Sequence, residues 1–221
     1  MLRGLPATWA ESFTKLLVFN QTEYDRVLHL DSDSTILQLT DELFLLPDAT
    51  VAMPRSYWEA QEPHVKLSSQ LLLATPSTHE YERCMAAIEA ASADQYDMEI
   101  VNALYRDTAM VLPHKTYDLY TREFRQGPDH RDYVGDDEAA VWDADHAMER
   151  AKFLHFSDWP LPKPWIEPSP GLWEQNWPKC FGDEGAVLEG TSESLCRERE
   201  LWVGFYKDFK MRRKQICGAV T

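Results

Sequence analysis

The stretch Val27-Leu28-His29-Leu30-Asp31-Ser32-Asp33-Ser34-Thr35 decides the fold class. Its first four residues form an apolar run of strand length, and Asp31-Ser32-Asp33 stops that run abruptly. Side chains at positions i and i+2 leave an extended chain on the same face, so the two carboxylates can approach a single cation. Two acids that close raise one another's pKa unless a metal lies between them. Open α/β sheets bind ligands beyond the carboxyl ends of their strands, which is where this pair falls. A hard cation held by two carboxylates keeps positions free for phosphate oxygens. The bare pattern is common in a chain with 37 acidic residues, and Asp143-Ala144-Asp145 repeats it. The apolar strand before Asp31 sets the first copy apart.

Outward from this stretch, Thr8 to Phe19 reads as an amphipathic helix with Trp9, Phe13, Leu16 and Leu17 at helical spacing. Thr35 to Leu39 resumes an extended pattern, and Asp41 to Leu45 predicts one helical turn capped by Thr40 or Asp41. Leu71-Leu72-Leu73-Ala74 is a buried strand ended by Pro76. Ser77 then caps a helix, with Glu80 three residues later completing a capping-box pattern, and Tyr81, Cys84, Met85 and Ile88 on one side. Ile100 to Tyr105 predicts a shorter second helix. The polar stretch from Gln126 to Asp145 reads as a surface loop, and Phe153-Leu154-His155-Phe156 as another short strand. A proline-rich segment runs from Trp159 to Pro170. Cys196 to Cys217 is a helix with Leu201, Trp202, Phe205, Phe209 and Ile216 on its apolar face, and its basic last turns read as a solvated helix end. Strand runs alternating with helical runs predict an α/β sandwich with a mainly parallel central sheet.

Composition narrows the function classes. With 221 residues, 44% hydrophobic and 12% aromatic, the chain buries a core of domain size. A formal charge of -15 argues against a nucleic-acid partner, which needs a basic surface. The same charge repels any anionic substrate, so a bound metal and a few placed cations must reverse the potential locally. No run of 18 or more apolar residues is present, so nothing in the chain reads as a membrane span. Four cysteines do not make a disulfide scaffold. Cys196 and Cys217 bracket a single helix, about 30 Å apart at its rise per residue, too far for a bridge, while Cys180 can still pair with either one.

A second element, Leu154-His155-Phe156-Ser157-Asp158-Trp159-Pro160 followed by Lys163-Pro164-Trp165, places a histidine at a strand end. Imidazole there can supply a third ligand and suits manganese better than magnesium, and Lys163 can reach a phosphate as a point charge. The alternative for His155 is a strand-end histidine satisfied by hydrogen bonds.

With these residues in place, the chain resembles glycosyltransferase family 8, the glycogenin-like family, and especially its fungal N-acetylglucosaminyltransferase-like branch. The likeness runs from about Trp9 to Trp165. It is carried by Thr14-Lys15-Leu16, by Tyr24 through Thr35, by Leu71 to Ser77, by Asp97-Met98-Glu99-Ile100-Val101-Asn102, and by His155-Phe156 with Lys163-Pro164-Trp165. The resemblance implies a GT-A fold, a UDP-sugar donor, manganese as cofactor, retention at the anomeric carbon, and a glycan or protein acceptor. It maps Asp31, Asp33 and His155 to metal ligands, Lys163 to a diphosphate contact and Lys15 to a donor-site lysine. It places Asp97 near the transferred sugar as the catalytic acidic residue, with Ser32, Ser68 and Ser69 along the donor site. The family usually has Asn-Ser-Gly or Asn-Ala-Gly where this chain has Ser68-Ser69-Gln70, and often Gln where Met98 stands. Family members also begin with a uridine-binding strand and loop, expected upstream of Trp9. The expected organisation is thus a partial catalytic domain over 1–175 and a C-terminal extension with an amphipathic helix over 176–221. The fungal branch implies a Golgi location through an N-terminal anchor.

Two other readings stay open at this point. Leu30 to Thr35 fits the haloacid-dehalogenase phosphatase pattern, with Asp31 as nucleophile, Asp33 as general acid, and Lys115 and Gly135-Asp136-Asp137 as later motifs. The other reading is a folded remnant that binds metal or a partner but transfers nothing.

Overall fold

The computed structural model describes residues 12–59, 65–125, 130–135, 141–179 and 194–218. In chain order its strands and α-helices are β1 (Val27–Leu30), β2 (Ser34–Ile36), β3 (Val51–Pro54), β4 (Leu71–Ala74), α1 (Thr78–Ala90), α2 (Asp97–Tyr105), β5 (Met110–Leu112), α3 (His114–Tyr117), β6 (Leu119–Tyr120), α4 (Arg131–Val134), α5 (Ala144–Arg150), β7 (Phe153–His155), α6 (Pro170–Asn176) and α7 (Ser194–Cys217). Three 3-10 helices, Ser12–Asn20, Asp41–Leu45 and Thr121–Phe124, complete the described set. The chain divides into two compact units. The first comprises residues 1–31 and 39–118, the second 32–38 and 119–221. The division passes between Asp31 and Asp33, and each unit is built around its own sheet.

The first unit carries a four-stranded sheet in the order β1-β4-β3-β5. β4 runs antiparallel to both β1 and β3, whereas β5 runs parallel to β3. The sheet is therefore mixed, not mainly parallel. Periodicity identifies a strand but not its direction. The link from β3 to β4 returns antiparallel, while α1 and α2 supply the long crossover that a parallel β3–β5 pair needs. Leu71–Ala74 is buried throughout, as its unbroken apolar run requires. Leu72 and Ala74 pack with Leu16, Phe19, Met53, Leu67, Cys84, Val101 and Tyr105. The 12–20 segment is a 3-10 helix, so Phe13, Leu16 and Phe19 line up at the three-residue spacing of that helix, and Leu17 is exposed. Trp9 and Thr8, at the start of the expected helix, lie outside the described residues.

Ser77 caps α1, its hydroxyl accepting from the Glu80 N–H at 3.1 Å. The Glu80 carboxylate does not close the box. It accepts from Arg83 at 2.7 Å and from the Tyr105 hydroxyl at 2.7 Å, tying α1 to α2. α2 begins three residues earlier than expected, at Asp97, because Glu99 reaches back to accept from the Tyr96 N–H at 2.9 Å. At Asp41–Leu45 the helical turn forms, but the Thr40 side chain makes no capping bond.

The second unit carries a three-stranded sheet, β2-β7-β6, with β2 antiparallel and β6 parallel to β7. Its core is aromatic. Phe124 meets Trp142 and Phe205 edge to face, Phe156 meets Tyr206 and Phe209, and Trp202 packs on Trp173 and Tyr206. The helix read at Cys196–Cys217 is present as α7. Trp202, Phe205 and Phe209 of its expected apolar face join this core, but Ile216 does not, lying exposed in the last turn where no described residue covers that face. Its basic end is laced by ion pairs, Lys210 to Glu167 at 2.5 Å and Arg212 to Asp208 at 2.6 Å.

The stretch expected as a surface loop is partly structured. Residues 131–134 form α4, and Tyr133 and His130 are buried. The reason is Trp142, on which His130 stacks at 4.2 Å and Tyr133 packs edge-on at 5.3 Å. The second acidic pair has structural work: Asp143 caps α5 by accepting from the His146 N–H at 2.7 Å, and Asp145 pairs with Arg197. Cys84 and Cys217 are free thiols. Cys180 and the Cys196 side chain lie outside the described residues.

Glu198 in α7 is buried and accepts from the Trp142 indole N–H at 2.6 Å. Burial pushes its carboxyl up, and the Trp142 hydrogen bond and the charge of His130 only partly oppose this. His130 itself faces Glu123 at 3.2 Å. A raised acid pKa means stability that is full below the ordinary carboxylate range and falls as pH rises through it. Glu198→Gln keeps the acceptor for Trp142 and removes the buried charge. The variant is expected to melt about 2–4 °C higher at pH 7, with the difference closing near pH 4. A lower melting temperature at pH 7 would contradict this account of the buried carboxylate.

Candidate functional site

In the first unit the site residues gather where three chain segments meet. β1 ends at Leu30, opposite Leu71 at the start of β4. The carboxyl end of β1 and the residues entering β4 thus share one edge of the sheet, and the Asp31 N–H donates to the Gln70 carbonyl at 2.9 Å. Asn102 fixes the entering segment: its side-chain oxygen accepts from the Leu67 N–H at 2.9 Å and its amide donates to the Leu67 carbonyl at 2.8 Å. One side chain thereby pairs with Leu67 as a strand would, and sets Ser68 and Ser69, both buried, in front of α2.

The Ser69 hydroxyl donates to the Asp97 carboxylate. Asp97 occupies the first turn of α2, where the exposed N–H groups and helix dipole favour an anion. The Lys15 ammonium bridges Asp31 at 2.7 Å and Asp97 at 2.8 Å. Burial alone would lower the lysine pKa, but Asp31 and Asp97 outweigh it and raise it, so Lys15 is a permanent cation. The structure thus brings together Lys15, Asp31, Ser69 and Asp97, which are dispersed in the sequence. His29 also approaches Asp31, its Nε2 lying 3.4 Å away.

In the second unit Asp33 is the hub. β2 and β7 pair with Ser34 opposite His155, so the residue just before β2 lies beside the end of β7. The Phe156 N–H donates to the Asp33 carbonyl at 2.9 Å, and His155 Nε2 stands 3.3 Å from an Asp33 carboxylate oxygen. The Lys163 ammonium pairs with the other oxygen. Burial pushes the Asp33 carboxyl up, but the hydrogen bonds and charges of His155 and Lys163 hold it well below the usual carboxylate range. The Tyr120 ring packs against His155 at 5.2 Å.

Both clusters suit a polyanionic ligand with a divalent ion. Each pairs a carboxylate with a lysine, and the second adds an imidazole nitrogen facing the carboxylate. Oxygen and nitrogen donors of this kind fit manganese or magnesium better than a soft metal. Asp31 and Asp33 are separated by Ser32 alone, so their Cα atoms lie within about 7 Å by chain geometry.

Two residues with structural roles here stood inside quoted stretches of the sequence with no role assigned to them. Asn102 stood inside a quoted motif, but its pairing with Leu67 joins positions 35 apart. Asp158 is fully buried and accepts from Arg125 at 3.1 Å, the Trp202 indole at 3.0 Å and the Tyr206 hydroxyl at 2.9 Å. Its one sequence signal is an acid set between Phe156 and Trp159.

The fold is that of GT-A glycosyltransferases. The glycosyltransferase GlyE of Streptococcus pneumoniae TIGR4, in its apo form, matches 91% of this chain and 46% of its own length, with a TM-score of 0.50 at 16% identity. An active-site mutant of LgtC matches 84% of this chain and 73% of its own, with a TM-score of 0.51 at 15% identity. By sequence the chain is similar to fungal proteins named Glucose N-acetyltransferase 1. That of Gibberella zeae is 50% identical over 98% of this chain, and that of Aspergillus fumigatus 45% identical over 97%. The chain spans about half the length of these relatives, 46% and 56% respectively. A glycogenin of Neurospora crassa is 29% identical over 44% of the chain and 14% of its own length. No family model matches.

Proposed function

We propose that this chain carries the metal- and diphosphate-holding part of a retaining glycosyltransferase that uses a UDP-sugar donor, in the manner of family 8. The observation that carries this reading is the Asp33 cluster, one carboxylate flanked by an imidazole and an ammonium, two residues after a second lysine-paired carboxylate. In this reading Asp31, Asp33 and His155 hold manganese, Lys163 moves to a phosphate oxygen, and Lys15 with Ser32, Ser68 and Ser69 borders the donor. A bound divalent ion would neutralise charge developing on the departing diphosphate. Asp97 lies buried against Lys15 and Ser69, and its role is to face the transferred sugar with a fixed negative charge. The Lys15 ammonium lies 2.8 Å from it, and it sits in the first turn of α2, where a helix favours an anion. A glycan or protein accepts the sugar.

The name of the fungal relatives, taken literally, describes acetyl transfer to glucose, and this is the second reading. A site with two lysine-paired acids and an imidazole fits a diphosphate better than a thioester. The phosphatase alternative loses its scaffold, since the fold is that of sugar transferases.

Calorimetric titration separates these readings. UDP is expected to bind at least about ten-fold more tightly with manganese present than with chelator, because the ion supplies part of the phosphate site. Acetyl-CoA should show no manganese dependence of this kind. UDP binding that ignores manganese, together with tight acetyl-CoA binding, would overturn the sugar-nucleotide reading in favour of acetyl transfer.

A further inference from the structure

Between His155 and Lys163 the exposed residues are the adjacent pair Trp159 and Pro160, flanked by the buried Asp158 and Leu161. Asp158 is fixed by its three hydrogen bonds to Arg125, Trp202 and Tyr206. Leu161 is buried, and its N–H donates to the Asp158 carbonyl at 2.8 Å. Between these two anchors Trp159 stands 88% exposed. Burying a side chain of this size is worth about 1.5–3 kcal/mol, so leaving it in water forgoes a stabilisation that the loop could have used. The backbone beneath the indole is already held on both sides. A ligand that lands on the ring therefore orders little additional chain, which favours binding.

We propose that Trp159 is a stacking platform for a pyranose ring of the acceptor glycan, an inference that rests on the sugar-transfer reading above. One face of a pyranose presents C–H bonds whose hydrogens carry partial positive charge. These complement the negative face of an indole, while the hydroxyls at the ring edge stay in water. Docking of a folded protein asks for a contiguous apolar patch of several hundred Å2, more than the roughly 150–250 Å2 that one aromatic side chain can bury. A single indole between buried anchors matches one sugar ring. Its place also fits an acceptor. It lies four residues after His155 and four before Lys163, on the loop that joins the two groups assigned to the donor side.

The test uses the full chain with its tryptophan indole N–H groups labelled with nitrogen-15, titrated with methyl α-mannoside, methyl β-galactoside, methyl β-glucoside and methyl β-N-acetylglucosaminide. The Trp159 signal is identified by its loss in Trp159→Phe. At least one pyranoside is expected to shift that signal saturably at millimolar concentration. Trp159→Ala should weaken binding of the same pyranoside about ten-fold, and Trp159→Phe should keep it within about three-fold, because a phenyl face preserves the stacking. The platform is overturned if no pyranoside moves the Trp159 signal, or if the one that binds does so equally well in Trp159→Ala. This readout needs no turnover. Failure of manganese-dependent UDP binding would sink the transferase reading separately.

Discussion

Asp33→Asn is expected to lower manganese affinity by at least about 100-fold while leaving the circular dichroism spectrum of the chain intact. Losing a second-sphere partner typically costs 10–100-fold in metal affinity, and a direct ligand costs more. The substitution is nearly isosteric, and the amide oxygen can still accept from Lys163 or His155. What it removes is the negative charge that lets one carboxylate serve an imidazole and an ammonium together. A fall of a few degrees in melting temperature should accompany the change, since two cationic or polar partners lose their shared anion. Asp31→Asn should reproduce the loss of metal binding. Manganese affinity unchanged in both variants, measured by calorimetry on the folded chain, would remove the metal assignment.

Trp202→Ala is expected to cost about 3–5 kcal/mol, the range for truncating a buried aromatic residue. In a chain of this size that lowers the melting temperature by about 10 °C. Trp202 has no exposed surface. Its ring lies 4.6 Å from Trp173 and 4.8 Å from Tyr206, its N–H donates to Asp158, and the Arg125 guanidinium sits over it at 5.9 Å. Deletion therefore opens a cavity and strips one of three donors from a buried carboxylate. Ile216, on the same helix but 82% exposed, provides the control: Ile216→Ala should change stability by no more than about 0.5 kcal/mol. Equal effects from the two substitutions in a urea titration would show that α7 does not belong to the core of its unit.

The features legible in the sequence were those that depend on near neighbours. The Val27–Leu30 strand, the Ser77 cap on α1 and the long amphipathic α7 each follow from a repeat or spacing of a few residues. Asp31, Asp33, His155 and Lys163 were also read from spacing and strand-end position, whereas Lys15, Ser69 and Asp97 were named only by resemblance to a family, because nothing in their spacing brings the clusters together. Lys163 and Asp33 are 130 positions apart, and Lys15 meets the Ser69 segment across 54.

By itself, then, the sequence determined the α/β class, the strand that carries Asp31 to an edge, the acidic character that requires local cations, and the apolar face of α7. Only the tertiary structure decided strand direction, since an antiparallel β4 between β1 and β3 reads the same as a parallel one in a pattern of period two. Only packing turned residues 130–135 from polar loop into a buried turn, because the driving contact is the ring of Trp142, eight positions beyond Val134. Asp158 likewise became an anchor only when Arg125, Trp202 and Tyr206 converged on it. A buried charge survives by finding partners from distant segments, and sequence spacing carries no record of which segments those are.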